Sequence, residues 1–128
     1  MPVPSDTDEG VPVLSEPLLA TLVTCLGAGW VETCLRRGLA EAERARRDLE
    51  AARADPGEVE RITHRLKGSA ISVGLARIAA AAGRVEDLAR ARRPATPAAL
   101  ARLDAAIDVT RDQLARRRRG DDHPVSGA

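Results

Sequence analysis

A chain of 128 residues with a single aromatic side chain has few ways to build a core. Trp30 stands alone, with no Phe and no Tyr. The interior must then be Leu, Val, Ile and Ala, which favours closely packed helices over a sheet. The spacing of these residues agrees, because they recur at three- and four-residue intervals, the period of one helix face. Ser15 reads as the cap of a first helix, with Glu16 and Pro17 in its opening turn. Leu14, Leu18, Leu22 and Leu26, with Leu19 and Val23, form its stripe until "GAG" at 27–29 breaks it.

A second helix is expected from about Trp30 to Ala54, with Val31, Cys34 or Leu35, Gly38, Ala42, Ala45, Leu49 and Ala52 inward. Asp55, Pro56 and Glu58 then spell a cap, a first helical residue and a capping box. The third helix runs from Pro56 to about Val73 and stops at Gly74. Leu75, Ile78, Ala82, Val85 and Ala89 mark a fourth, which fades at "RARRP". Thr96 and Pro97 open the last, carried by Leu100, Leu103, Ile107, Thr110 and Leu114. The expected architecture is all-α: an antiparallel four-helix bundle with an additional short N-terminal helix, over residues 14–118. Residues 1–13 and 119–128 read as disordered tails.

Several function classes are excluded by composition. The formal net charge is +1, so no bulk field favours nucleic acid or a membrane surface. The four arginines at 116–119 suit a helix C-terminus, and Asp121 and Asp122 follow at once. Base stacking on aromatic side chains is out of reach. No apolar run approaches the ~18 residues of a membrane span, and the start "MPVPSDTDEG" lacks the pattern of a secretory signal. Cys25 and Cys34 fit apolar helix faces and read as two buried free thiols. The expectation is a cytoplasmic monomer with no nucleic-acid or membrane partner.

One stretch, "RITHRLKGSAISVGLARI" at 61–78, breaks the alanine-rich habit of the chain by placing Gly68 inside a helix. That choice costs about 1 kcal/mol relative to alanine. Advancing about 100° per residue, Val59, Ile62, Leu66, Ser69 and Val73 share the core side, and His64 lies roughly 170° from its centre. His64 therefore faces solvent, with Lys67, Gly68 and Ile71 on the same face. Lys67 brings a cation near the imidazole, Gly68 leaves a gap beside it, and Ile71 is apolar where the pattern calls for polarity. An ordinary imidazole, with a pKa of about 6.5, is largely neutral at physiological pH and is nucleophilic without an adjacent base. No catalytic triad, carboxylate pair or phosphate loop is in reach. The other histidine, His123, is in the tail and the cysteines lie on other helices, so no metal site is expected. The face fits a histidine that accepts a small anionic group and passes it on.

The run "THRLKGSAISVG" resembles the signature of histidine-containing phosphotransfer (HPt) domains of two-component phosphorelays: His64, Leu66, Lys67, Gly68, Ser69, Ala70, and Gly74 ten residues after the histidine. The likeness extends more loosely over about residues 14–118, including "VEDL" at 85–88. Two departures are the absence of Phe from the core and Thr63 where Ala is frequent. The resemblance implies a phosphorelay intermediate in which His64 is the phosphoacceptor, Lys67 stabilises the phosphoryl oxygens, and Gly68 and Ile71 receive the partner. Ser69 is assigned packing or backbone bonding. The implied partners are response-regulator receiver domains and histidine kinases. The chain would bind no cofactor, Mg²⁺ coming from the receiver, and would have no ATP-dependent kinase activity of its own. The alternative is a non-catalytic helical interaction module in signalling. The phosphoacceptor element of a histidine kinase fits less well, because Arg65 stands where Glu or Asp is typical and no proline follows His64 until Pro94.

Overall fold

The computed structural model describes residues 10–120. Five helices occupy them: α1 (Glu16–Leu26), α2 (Ala28–Ala52), α3 (Pro56–Ser72), α4 (Ala76–Arg90) and α5 (Pro97–Arg119). Helices α2 to α5 close a ring, each packed on the next and α5 returning to α2, while α1 packs on α2. The most extensive contact is between α3 and α4.

The core is aliphatic throughout: Leu35 and Leu49 of α2, Val59 and Leu66 of α3, Ile78 and Val85 of α4, and Leu103 and Ile107 of α5 are essentially inaccessible. Each such side chain contributes about 1.5–3 kcal/mol on burial. Alanines 42, 70, 81, 82 and 106 let the helices approach closely where a bundle with aromatics would hold them apart.

The turn between α3 and α4 is closely packed from two sides. Gly74 has φ +83°, and a Cβ there would stand 3.1 Å from Cδ2 and 3.2 Å from Cγ of the buried Leu19. Gly74 also accepts, at its carbonyl, the Ser15 backbone N–H at 2.8 Å, which ties the start of α1 to this turn. From the other side α2 presses in at Gly38, where a Cβ would lie 2.9 Å from Leu75 Cδ1 and 3.1 Å from Val73 Cγ2.

Several expectations need correction. Ser15 makes no side-chain cap bond, its backbone being used by the turn instead. The α1 stripe holds except at its end: Leu14 and Leu19 are buried and Leu22 and Val23 pack against the core, but Leu26, in the last turn, is 52% exposed. Only Gly27 (φ +92°) breaks α1 from α2, so Ala28 and Gly29 are already helical. Asp55 caps α3 by accepting the Glu58 N–H at 3.2 Å, but the Glu58 side chain pairs with Arg61 rather than closing a capping box. Cys25 is exposed and Cys34 half-buried, both free. Within the stretch read as a lead-in, residues 1–9 lie outside the described residues, whereas Val13 is buried and the Val11 carbonyl accepts from Arg77 Nε at 2.9 Å. The expected tail from 121 onward also lies outside them, and α5 continues through Arg119.

Candidate functional site

Which side of α3 is buried decides what its outer face offers. Val59, Ile62, Thr63, Leu66 and Ala70 are buried, while Ser69 and Val73 are only half-buried. The buried arc is thus turned toward Thr63 and Ala70 relative to the expected one. Thr63 is a polar residue with no exposure, made tolerable by its hydroxyl donating to the Val59 carbonyl at 2.8 Å. Ser69, assigned packing or backbone bonding above, donates instead to a side chain, Glu41 Oε1 of α2, at 3.0 Å.

With this rotation His64 stands roughly 145° from the core direction rather than opposite it. Its ring is 67% exposed, yet its edge reaches the rim of α4. There Nδ1 lies 2.7 Å from Oε2 of Glu86, a carboxylate with no solvent exposure. An ionised carboxylate only accepts, so Nδ1 carries the proton and, in the neutral ring, Nε2 keeps its lone pair free.

Glu86 holds three partners at once. Lys67 Nζ is 2.5 Å from Oε1, and Arg90 Nη2 is 3.2 Å from Oε2. Arg90 also reaches Glu60 of α3, Nε to Oε2 at 3.2 Å, and so bridges the two helices. The Lys67 stem runs over Gly83, where a Cβ would come within 3.5 Å of Lys67 Cδ. Burial works to raise the Glu86 pKa. It is outweighed by the hydrogen bonds from Lys67 and His64 and by the charges of Lys67 and Arg90, which hold the carboxyl below its ordinary range.

Beyond the imidazole the surface is bare. A Cβ on Gly68 would meet nothing within 4 Å, and Ile71 is 57% exposed. On the other side, Gly57, Glu60, Arg61 and Arg90 line an open recess with His64. The structure therefore brings His64, Lys67, Gly68 and Ile71 onto one face, with one difference from expectation: Lys67 is engaged with Glu86 rather than loose beside the ring. Among the described residues no group of three or more His, Cys, Asp or Glu could hold a metal ion, and no helix is long and apolar enough to cross a membrane.

Glu86 itself was not singled out from sequence. It lies roughly 80° from the core direction of α4, on a flank where a glutamate ordinarily reaches water. The available signals were Arg90 four residues on, an i,i+4 ion pair, and the place of Glu86 itself in the "VEDL" run that already figured in the resemblance.

Fold and geometry together describe an aliphatic helical bundle that presents one imidazole to solvent and fixes it from behind. The sequence profile of the Hpt domain matches residues 30–113, well over half of the chain, which therefore belongs to the Hpt domain family. Among solved structures, the histidine-containing phosphotransfer protein B (HptB) of Pseudomonas aeruginosa PAO1 is similar, with a TM-score of 0.75 at 22% sequence identity. The match covers 84% of this chain and 96% of that one. No curated protein matches by sequence. As a member of the family the chain is a histidine phosphotransfer intermediate, a carrier of phosphoryl groups among phosphorelay partners.

Proposed function

We propose that His64 is the residue phosphorylated, at Nε2, and that it takes its phosphoryl group from a receiver-domain aspartate or a histidine kinase and yields it to a receiver domain. One observation carries this reading: the ring is 67% exposed, its Nδ1 is occupied by a buried carboxylate, and Nε2 is left facing open surface. In-line phosphoryl transfer needs an unobstructed nucleophile, neutralised equatorial oxygens and usually a divalent cation. His64 supplies the first. Lys67 supplies one positive charge, turning from Glu86 toward the phosphoryl oxygens. The receiver's acidic pocket brings Mg²⁺ and docks over Gly68 and Ile71. The protein acts as a cytoplasmic monomer, does not phosphorylate itself from ATP, and binds no nucleic acid.

The test is direct. Purified protein incubated with a panel of phosphorylated receiver domains takes up an acid-labile, base-stable label, and His64→Gln abolishes it while the helical circular dichroism is unchanged. Label persisting on the variant would remove His64 from the role. A protein that binds receivers without ever acquiring label would instead be an interaction module.

A further inference from the structure

The carboxylate behind His64 does more than a neutral acceptor in the same place could do. We propose that the charge of Glu86, and not merely its hydrogen bond, sets the phosphoryl equilibrium between this protein and its partner, holding the group on His64. The inference rests on His64 being the phosphoacceptor.

The electron count gives the reason. The Nε2 lone pair forms the N–P bond as the P–O bond to the donor aspartate breaks, and the aspartate leaves as a carboxylate. Nδ1 keeps its proton throughout, so the ring passes from neutral to cationic. The new positive charge develops on a ring whose Nδ1 is 2.7 Å from Glu86 Oε2. The neutral ring's bond to this carboxylate is already charge-assisted; the cationic ring adds a direct ion–ion attraction to an acceptor that has no exposure to water. The product is therefore stabilised more than the reactant.

The groups facing the ring fit that account. From α3 come Glu60, Lys67 and Arg61, the last paired with Glu58, and from α4 come Glu86 and Arg90. Before transfer these charges, with Glu58 counted, cancel around a neutral imidazole. Afterwards the phosphoryl oxygens offer Lys67 and Arg90 a second anion, and each step they take toward it frees more of the Glu86 charge for the cationic ring. Glu86 thus acts as a positioning residue through His64: its acceptor oxygen selects the Nδ1–H tautomer, and its charge biases the transfer. Glutamine would keep the first property and lose the second.

Glu86→Gln separates the two. The wild-type protein and the variant are each mixed with one phosphorylated receiver, and the label on each partner is measured once it stops changing. In parallel, ¹⁵N chemical shifts of the His64 ring report the tautomer. The expected result is that Glu86→Gln still takes label, keeps the Nδ1–H tautomer, and holds about tenfold less phosphoryl at equilibrium. Glu86→Asp, which keeps the charge on a shorter stem, recovers part of that loss and serves if the glutamine variant fails to fold. A wild-type equilibrium in Glu86→Gln overturns the proposal. So does a fall that comes only with loss of the tautomer, or a Glu86→Asp no better than Glu86→Ala. None of these outcomes resembles label surviving on His64→Gln, which would instead remove the underlying reading.

Discussion

Two glycines six residues apart on the same stretch of chain, Gly68 and Gly74, do opposite things. At Gly74 any other residue is disfavoured twice over: its φ is +83°, and Leu19 crowds the space where a Cβ would go. Gly68 lies in regular helix with nothing within 4 Å, so packing gives no reason for its lack of a side chain. The contrast separates what holds this bundle together from what, under the proposed function, is left clear for a partner. The turn end is dry and aliphatic, with Val73, Leu75, Leu19 and Gly38 interlocked. The outer face is charged and open, with its one buried carboxylate serving the exposed ring.

The largest expected effect belongs to Gly74. Gly74→Ala forces an L residue into left-handed backbone, about 1–2 kcal/mol, and crowds a buried leucine, about 1–3 kcal/mol. A loss of about 3 kcal/mol follows, lowering Tm by roughly 10 °C, measured by thermal circular dichroism. Any protein that does fold should still accept phosphoryl groups, because the turn lies more than two helical turns from His64. A Gly74→Ala protein as stable as wild type would mean that α1 can lift off the turn without cost.

Next comes Gly68→Leu, with the effects reversed. Stability should hold or rise, since leucine is a good helix former in open space, while transfer to and from a receiver falls at least tenfold because the side chain occupies the docking surface. Stopped-flow or gel measurement of label transfer checks it. Undiminished transfer would leave the glycine without the steric role given to it here.

The same contrast shows how far the sequence could be read. Helix periodicity located every element of the ring, because the inward residues of α4 and α5 alternate cleanly with charge: Ile78, Ala82, Val85 and Ala89, then Leu100, Leu103, Ile107, Thr110 and Leu114, are all buried. The outward facing of His64 was legible for the same reason. Less legible was anything that depended on which neighbour a flank meets. Thr63 is absent from the core side that the helix angle gives, yet it is buried, since the threonine hydroxyl satisfies itself on its own helix. Leu26 continues the α1 stripe and is exposed, since it falls in the last turn of a short helix, away from the core that Leu19 enters. Glu86 is the instructive case. Periodicity describes a helix one at a time, whereas Glu86 acquires its meaning from being level with His64 on another helix, 22 residues earlier in the chain.

Acid distinguishes the two regions more gently. The folded-state pKa of Glu86 is depressed, so its contribution to stability is present above the unfolded value of about 4.3–4.5 and is lost as pH falls through the lower folded value. Asp108, held down by the hydrogen bond and charge of Arg46 and by Arg111, works in the same direction, while the neighbouring Asp104, pushed up chiefly by burial, works against it. Tm should therefore decline as pH drops below about 4.5. In Glu86→Gln the decline should be shallower, because one titrating group has gone. The turn around Gly74, which is apolar, should contribute nothing to that slope: Gly38→Ala should lower Tm by the same amount at pH 4 and pH 7. Equal slopes in wild type and Glu86→Gln would show that the carboxylate pairs as strongly unfolded as folded.

The smallest effect sharpens the comparison most. Gly68→Ala adds one methyl group to empty space and replaces the second-worst helix former with the best, so it should raise stability by about 0.5–1 kcal/mol, a few degrees in Tm. Transfer should change only a few-fold, because a methyl group stands barely above the backbone that Gly68→Leu would bury. The ordering Gly, Ala, Leu in transfer rate against the ordering Gly below Ala in stability separates access from packing within a single position. If alanine instead destabilises, α3 needs glycine at this point for its own conformation, and the openness beside His64 is a by-product of helix geometry. If alanine stabilises and transfer declines with side-chain volume, the chain is holding a helix weaker than it needs to be in order to keep one imidazole approachable.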